Sequence, residues 1–188
     1  MEKIFVLEVP YAGLGDHLFH SHLPRIAKED MGYDKVYISS RSPVRHEDYR
    51  RIVWKYNPYI DGFIDEPGQS CNLSTIVGRA NQFKGNLLDE VMFSFGFDNG
   101  KLWNEPEIYY EPKLRWEFNK AIYDPNYLSW VGDLTKFDAQ LYFDKKSFKF
   151  EAIMKIRSEK HLILPERYSD FIETPTLEDF CDLIYSAK

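Results

Sequence analysis

The sequence predicts an α/β protein: a Rossmann-like parallel sheet flanked by helices, followed by a short, incomplete second α/β domain. Three observations carry this reading. The β-branched run Lys3 to Val9 (KIFVLEV) passes into a glycine-containing loop and then into a long segment of helical period. A second short strand, Lys35 to Ser39 (KVYIS), completes strand, helix and strand within about 37 residues, the size of a right-handed βαβ unit. The alternation continues through another helix into a strand at Ile60 to Ile64, which a parallel sheet accommodates. At 188 residues the chain has room for one full domain and a small second one.

Each element has a local reason. Between His17 and Asp30 the apolar Leu18, Phe19, Leu23, Ile26 and Ala27 recur at helical spacing, with Arg25, Lys28, Glu29 and Asp30 among them, so one amphipathic helix is expected. Asp16 stands where an N-cap belongs, and Gly32 stops the helix. Glu47 to Tyr56 reads as a helix broken by Asn57-Pro58, and Asn86 to Phe95 as a helix ended by Gly96. Glu107 to Tyr110 reads as a strand bracketed by Pro106 and Pro112, and that bracket places a domain boundary between residues 1–112 and 113–188. Beyond it a helix is expected over Arg115 to Ala121, then a Tyr/Phe-rich stretch from Ile122 to Phe150, and a strand at His161 to Leu164. A last helix runs over Leu177 to Ala187, capped by Thr176 or Thr174.

Composition narrows the function. Lys and Arg number 24 against 30 Asp and Glu, a net charge of −6, which disfavours a nucleic-acid binder because such a protein must replace counterions with a basic face. Hydrophobic residues at 44% supply a core, which a disordered chain lacks. The apolar run Ile4 to Leu7, cut by Glu8 and Pro10, is too short for a signal segment or a membrane span, so a cytoplasmic protein is expected. Cys71 and Cys181 form no CxxC pair, so they indicate neither a zinc site nor a disulfide framework, and the Asn72-Leu-Ser74 sequon has no meaning in the cytoplasm.

The loop Gly13-Leu14-Gly15-Asp16 sits between first strand and first helix, where open α/β sheets bind ligands and where glycines let a backbone approach one. It lacks the third glycine of a dinucleotide fingerprint, its carboxylate would repel a pyrophosphate, and KVYIS is followed by Ser40 and Arg41 rather than an acid. A nucleotide-dependent oxidoreductase is therefore disfavoured. His17 and His20 share a helix face, but no further ligand completes a metal set, so no metal is expected; His20 and His22 read as packed or solvated. From Arg41 to Lys55 the cations Arg41, Arg45, Arg50, Arg51 and Lys55 outnumber Glu47 and Asp48, which suits a phosphorylated or acidic glycan and equally a solvated helix face. Thirteen Tyr, 14 Phe and four Trp can stack on sugars, yet most must fill the core.

The strand KIFVLEV, loop YAGLGD, helix HLFHSHLPRIAKE, strand KVYIS and segment NPYIDGF, in that order, resemble the N-terminal domain of the ADP-heptose:lipopolysaccharide heptosyltransferase family over residues 3 to 112. Glu173 to Lys188 is similar to that family's helix before a strand and Ser/Thr-Gly turn that grip the donor nucleotide, and the sequence stops before that strand.

The resemblance implies the two-domain GT-B fold and inverting sugar transfer without a metal or other cofactor. The donor would be a nucleotide-sugar. The acceptor would be a glycan or lipid-linked glycan of lipopolysaccharide biosynthesis, with peripheral membrane contact. Asp16 would be the base that deprotonates the acceptor hydroxyl, and its alternative role is that of a helix cap. Gly13, Leu14, Gly15 and His17 beside that base would bind substrate, and from their local charge excess rather than from the resemblance so would Arg41, Arg45, Arg50 and Arg51. A competing expectation is a non-catalytic binding remnant of the same fold; the second sheet is expected to have few strands and weak nucleotide-sugar binding, with aromatic residues between Ile122 and Phe150 or a second copy of the chain covering the exposed edge.

Overall fold

The computed structural model describes residues 2–79, 86–117, 121–123, 152–156 and 171–187, and the chain divides into two compact units, residues 1–110 and 111–188. In the first unit β1 (Ile4–Leu7), β2 (Lys35–Ser39) and β3 (Gly62–Ile64) form a parallel sheet in the order β1-β2-β3, with Ile4 opposite Lys35 and Tyr37 opposite Gly62. Helices intervene between the strands, so this unit has the expected α/β character. Phe5, Leu7, Val36 and Ile38 are buried while Ile4 is half exposed, and the Phe5 ring meets Tyr33, Phe95 and Phe97 with centroids 5.0 to 5.9 Å apart.

The single helix expected over His17 to Asp30 is two: α1 (Leu14–His20) and α2 (Leu23–Glu29). Apolar spacing continues across the break, which is why the period hides it. Pro24 lies at the start of α2, where its ring would clash with the carbonyl of residue 20 in a continuous helix and its missing N–H could not bond there. Ser21 closes α1 instead, its backbone N–H and its hydroxyl both donating to the Leu18 carbonyl at 3.2 and 2.8 Å. The cap is also reassigned. Gly13 is the N-cap and Asp16 the third helical residue, whose Oδ2 accepts the Gly13 N–H at 3.0 Å, the carboxylate half of a capping box.

The helix expected from Glu47 to Tyr56 begins as α3 (Glu47–Arg50) and widens into a π-turn (Arg51–Lys55). The wider turn brings three successive residues, Ile52, Val53 and Trp54, into the core. Next come α4 (Leu73–Arg79) and α5 (Leu87–Ser94), the latter capped by Asn86 with Asp89 as its reciprocal partner and ended by Gly96 at φ +72°.

Residues 107–110, expected as a strand, join no ladder. Their neighbours Pro106 and Pro112 cannot donate, and Glu107 is tied to the α1–α2 junction by its N–H to Ser21 Oγ at 2.8 Å and its carboxylate to Arg25. A segment the periodicity did not mark takes the free edge of β1: Glu8 N–H donates to the Gln69 carbonyl and Gln69 N–H to the Val6 carbonyl, both at 2.8 Å. Gly68 permits this approach. A Cβ there would lie 2.7 to 2.8 Å from backbone atoms of Val6, Leu7 and Glu8, none of which can swing aside. Gly68→Ala is therefore expected to lower stability by about 1 to 3 kcal/mol in urea unfolding, and a change within measurement error would show that the strap is not packed as described.

In the second unit β4 (Ala121–Tyr123), β5 (Ala152–Ile156) and β6 (Phe171–Glu173) form a parallel sheet in that order, and α6 (Leu177–Ser186) follows, capped by Thr176 with Asp179. The helix expected over Arg115 to Ala121 is not formed: residues 115–117 are irregular and Ala121 opens β4. Arg115 bonds α6 instead, at 2.6 Å to both Asp179 and Asp182, and Lys113 N–H donates to Asp182. The strand expected at His161 to Leu164 and most of Ile122 to Phe150 lie outside the described residues. Among the described residues no helix is long and apolar enough to cross a membrane.

Candidate functional site

The loops that leave the carboxyl ends of β1 and β2 lie side by side. Val9 N–H donates to Ser42 Oγ at 3.0 Å, Arg45 N–H to the Ala12 carbonyl at 3.0 Å, and His17 Nε2 bonds the Pro43 carbonyl at 3.0 Å. Parallel strands converge their loops in this way, and ligand crevices of α/β sheets open there. The Asp65–Gln69 strap runs past the end of β2, where Ser39 Oγ donates to the Glu66 carbonyl and Ser40 N–H to Ile64.

Asp16 is partly exposed at this edge. One carboxylate oxygen, Oδ2, holds Gly13 N–H; Oδ1 has no hydrogen-bond partner among the described residues. Leu14 opens the helix, half-buried. The two glycines differ in their reasons. Gly13 is extended, at φ −79°, and needs no left-handed conformation; a Cβ there would meet Asp16 Oδ2 at 2.7 Å and push the carboxylate off its cap. Gly15 is exposed within the helix and a Cβ would meet nothing within 4 Å. Neither packing nor backbone requires glycine at position 15, where it weakens a helix relative to alanine. Gly15→Ala is therefore expected to raise stability by about 0.5 to 1 kcal/mol in thermal unfolding, and destabilisation would reveal a constraint the fold does not display.

His17, expected to touch substrate, lies fully buried with both ring nitrogens engaged. Trp54 Nε1–H can only donate, at 2.8 Å, so His17 Nδ1 is the acceptor and Nε2 carries the proton given to Pro43. Burial holds its pKa below the usual value. His20, also buried, donates from Nδ1 to the Asp16 carbonyl at 2.7 Å, which leaves Nε2 to accept from the Cys71 thiol at 3.3 Å. Burial lowers the His20 pKa to about 4 and raises that of Cys71, so the pair is neutral rather than a thiolate and imidazolium. These two side chains bolt the inner face of α1 and so fix the position of Asp16. His22 is buried too; the Leu88 backbone carbonyl lies near its ring, but neither ring nitrogen makes a well-aligned hydrogen bond among the described residues. No local pattern in sequence marks the Trp54–His17 or Cys71–His20 pairs, because each joins residues far apart in the chain.

The arginines separate. Arg41 turns to Asp65 at 3.3 Å, whereas Arg45 leaves its exposed side chain on the loop beside Ala12. Arg50 and Arg51 come together with Lys55, Glu47 and Phe63 around an open cleft of about 190 Å³. Arg51 bonds the buried Asp48 at 2.6 Å, and Arg50 reaches the Ser42 carbonyl at 3.2 Å. Lys55 was visible in sequence only as one cation of the basic stretch, and Phe63 had no distinguishing signal. Among the described residues no group of His, Cys, Asp and Glu could hold a metal ion.

No family model, curated protein or solved structure matches this chain.

Proposed function

We propose that the first unit is the acceptor-side domain of an inverting, metal-independent glycosyltransferase of the GT-B type, similar to the ADP-heptose:lipopolysaccharide heptosyltransferases, with Asp16 as its base. The observation that carries the reading is Gly15. It is a glycine inside a helix, exposed, with open space where a side chain would stand, beside a partly exposed carboxylate at the carboxyl edge of a parallel sheet. The fold gains nothing from it, whereas a substrate approaching the backbone next to Asp16 would. In the reaction implied, Asp16 takes the acceptor hydroxyl's proton as that oxygen attacks the anomeric carbon, and the bond from that carbon to the nucleoside diphosphate breaks with its electron pair on the leaving phosphate. Arg45, exposed on the adjoining loop, would supply the charge for an anionic acceptor.

The test is transfer from ADP- and UDP-sugars to phosphorylated lipopolysaccharide core oligosaccharide. Asp16→Asn is expected to lower product formation at least ~100-fold. The fold should persist, because the amide oxygen can still accept Gly13 N–H. Undiminished transfer by the variant would remove Asp16 from the reaction. Retained acceptor binding without product from any donor would favour the non-catalytic binding protein, to which the Asp16–Gly13 cap already lends support.

A further inference from the structure

We propose that the cleft between the π-turn and β3 binds the phosphate of a phosphorylated sugar, with Arg50 and Lys55 as its ligands and Phe63 as the floor for the sugar ring. Three cations and one carboxylate line this cleft in a chain whose net charge is −6, a local inversion of sign. The cations are not equally engaged. Arg51 is spent on Asp48, whose side chain is 5% exposed. Arg50 gives one nitrogen to the Ser42 carbonyl, but its Nε is buried without a hydrogen bond, and the nearest carboxylate oxygen, on Glu47, is 3.4 Å away on a side chain 73% exposed. Lys55 is exposed with no hydrogen bond or ion pair among the described residues. A buried donor lacking an acceptor, beside an unpaired ammonium, is the arrangement that an incoming phosphate oxygen would complete.

Phe63 gives the site its second character. It is 38% exposed on β3, and the Arg50 guanidinium stands 5.8 Å from its ring centroid, so the anion and the apolar face of one ligand can be met together. A space of about 190 Å³ accommodates a phosphate and part of one hexose, not the extended backbone of a nucleic acid. Strand order adds a further point, which rests on the transferase reading. β2 lies between β1, which leads to Asp16, and β3, which carries Phe63; two strand spacings are roughly 10 Å. The phosphate would then be a handle on a sugar other than the one whose hydroxyl reacts.

Calorimetric titration of the full chain at low salt tests this with glucose 6-phosphate, inorganic phosphate and methyl glucoside. Saturable binding of glucose 6-phosphate is expected, with inorganic phosphate at least roughly fivefold weaker and methyl glucoside not bound. Lys55→Gln should weaken glucose 6-phosphate about tenfold. Glu47→Gln, which removes the repelling carboxylate, should tighten it, and Phe63→Ala should weaken the sugar phosphate while leaving inorganic phosphate unchanged. Asp16→Asn should not alter it, so a failed transfer assay leaves this site standing. Equal binding by wild type and Lys55→Gln, with circular dichroism showing both folded, would overturn the proposal. Methyl glucoside binding as tightly as its phosphate, or inorganic phosphate matching glucose 6-phosphate, would do the same.

Discussion

Lowering the pH from 7 to 5 is expected to remove about 4 kcal/mol of the first unit's stability, and the buried histidines are the reason. His17, His20 and His22 are all fully enclosed at the α1–α2 junction. Burial, reinforced for His22 by the neighbouring His20, holds the pKa of His20 and of His22 at about 4 against 6.5 in an open chain. The groups that face them do not reverse this: the backbone carbonyls of Pro43, Asp16 and Leu88 and the carboxylates of Asp16 and Asp89 favour the proton, but Arg50 opposes it at His17, His17 at His20 and Arg25 at His22, and burial outweighs them all. Between pH 6.5 and 4 the unfolded chain therefore binds protons that the folded one refuses. Stability is intact above 6.5 and falls by about 1.4 kcal/mol per pH unit for each such histidine. At pH 5 the two together remove about 4 kcal/mol, a large part of what a domain of this size possesses. Amide exchange in β1 and β2 across that range measures the effect. His22→Leu should make the slope shallower by about 1.4 kcal/mol per pH unit and leave stability at pH 7 little changed, because it deletes two buried nitrogens that make no well-aligned hydrogen bond. A profile flat down to pH 5 would mean that these side chains reach water in solution.

Much of the first unit was legible in its residues. The β1 and β2 strands carry their own β-branched signal, Asn86 announces its helix as Thr176 does in the second unit, and the order of strand, loop and helix dictates a parallel sheet. What failed to show was decided by groups distant in sequence. The break between α1 and α2 is hidden because the apolar period runs through it; Pro24 betrays it only once the clash with residue 20 is considered. Residues 107–110 have strand composition, yet Ser21 and Arg25 claim Glu107 before a ladder can. The strap at Gly68 depends on a backbone-to-backbone approach that no side-chain pattern records.

The site divides the same way. The Gly13-Leu14-Gly15-Asp16 loop was recognisable as a ligand-facing turn, but the structure gives its two glycines different settings: one makes room for a carboxylate, the other faces open space. His17 looked like a pocket residue because it follows Asp16. One step along a helix rotates a side chain by about 100°, and that rotation sends it inward to Trp54. The arginine patch was visible as composition, whereas its sorting into paired Arg51 and incompletely bonded Arg50 depends on where Asp48 and Ser42 lie.

Asp89→Asn is expected to cost about 2 to 4 kcal/mol, although it changes one atom and leaves the shape intact. Asp89 is fully buried on α5, where its carboxylate is held by N–H donors. Its Oδ2 accepts the N–H groups of Asn86 and Trp103 at 3.0 and 2.8 Å, and its Oδ1 accepts the backbone and side-chain N–H groups of Asn104 at 2.9 and 2.7 Å. Burial works against the charge, but these donors outweigh it and hold the pKa below the usual carboxylate value, so the contribution is present throughout the neutral range and is lost only as the pH falls below about 4. Asparagine offers one oxygen and one amino group, so two donors would face a third. The segment they hold is itself strained: Trp103 sits at φ +65°, a left-handed conformation unusual for a bulky residue, with its side chain 66% exposed. Trp103→Gly should accordingly raise stability by about 1 kcal/mol in the wild-type chain, since the left-handed backbone then comes without steric cost. In the Asp89→Asn chain the same change should gain little, because the loop has already relaxed. Urea unfolding of the two single variants and the double variant measures that coupling, with exchange of the Trp103 and Asn104 amides as the local readout. Strict additivity would mean that the carboxylate does not hold Trp103 in its strained conformation.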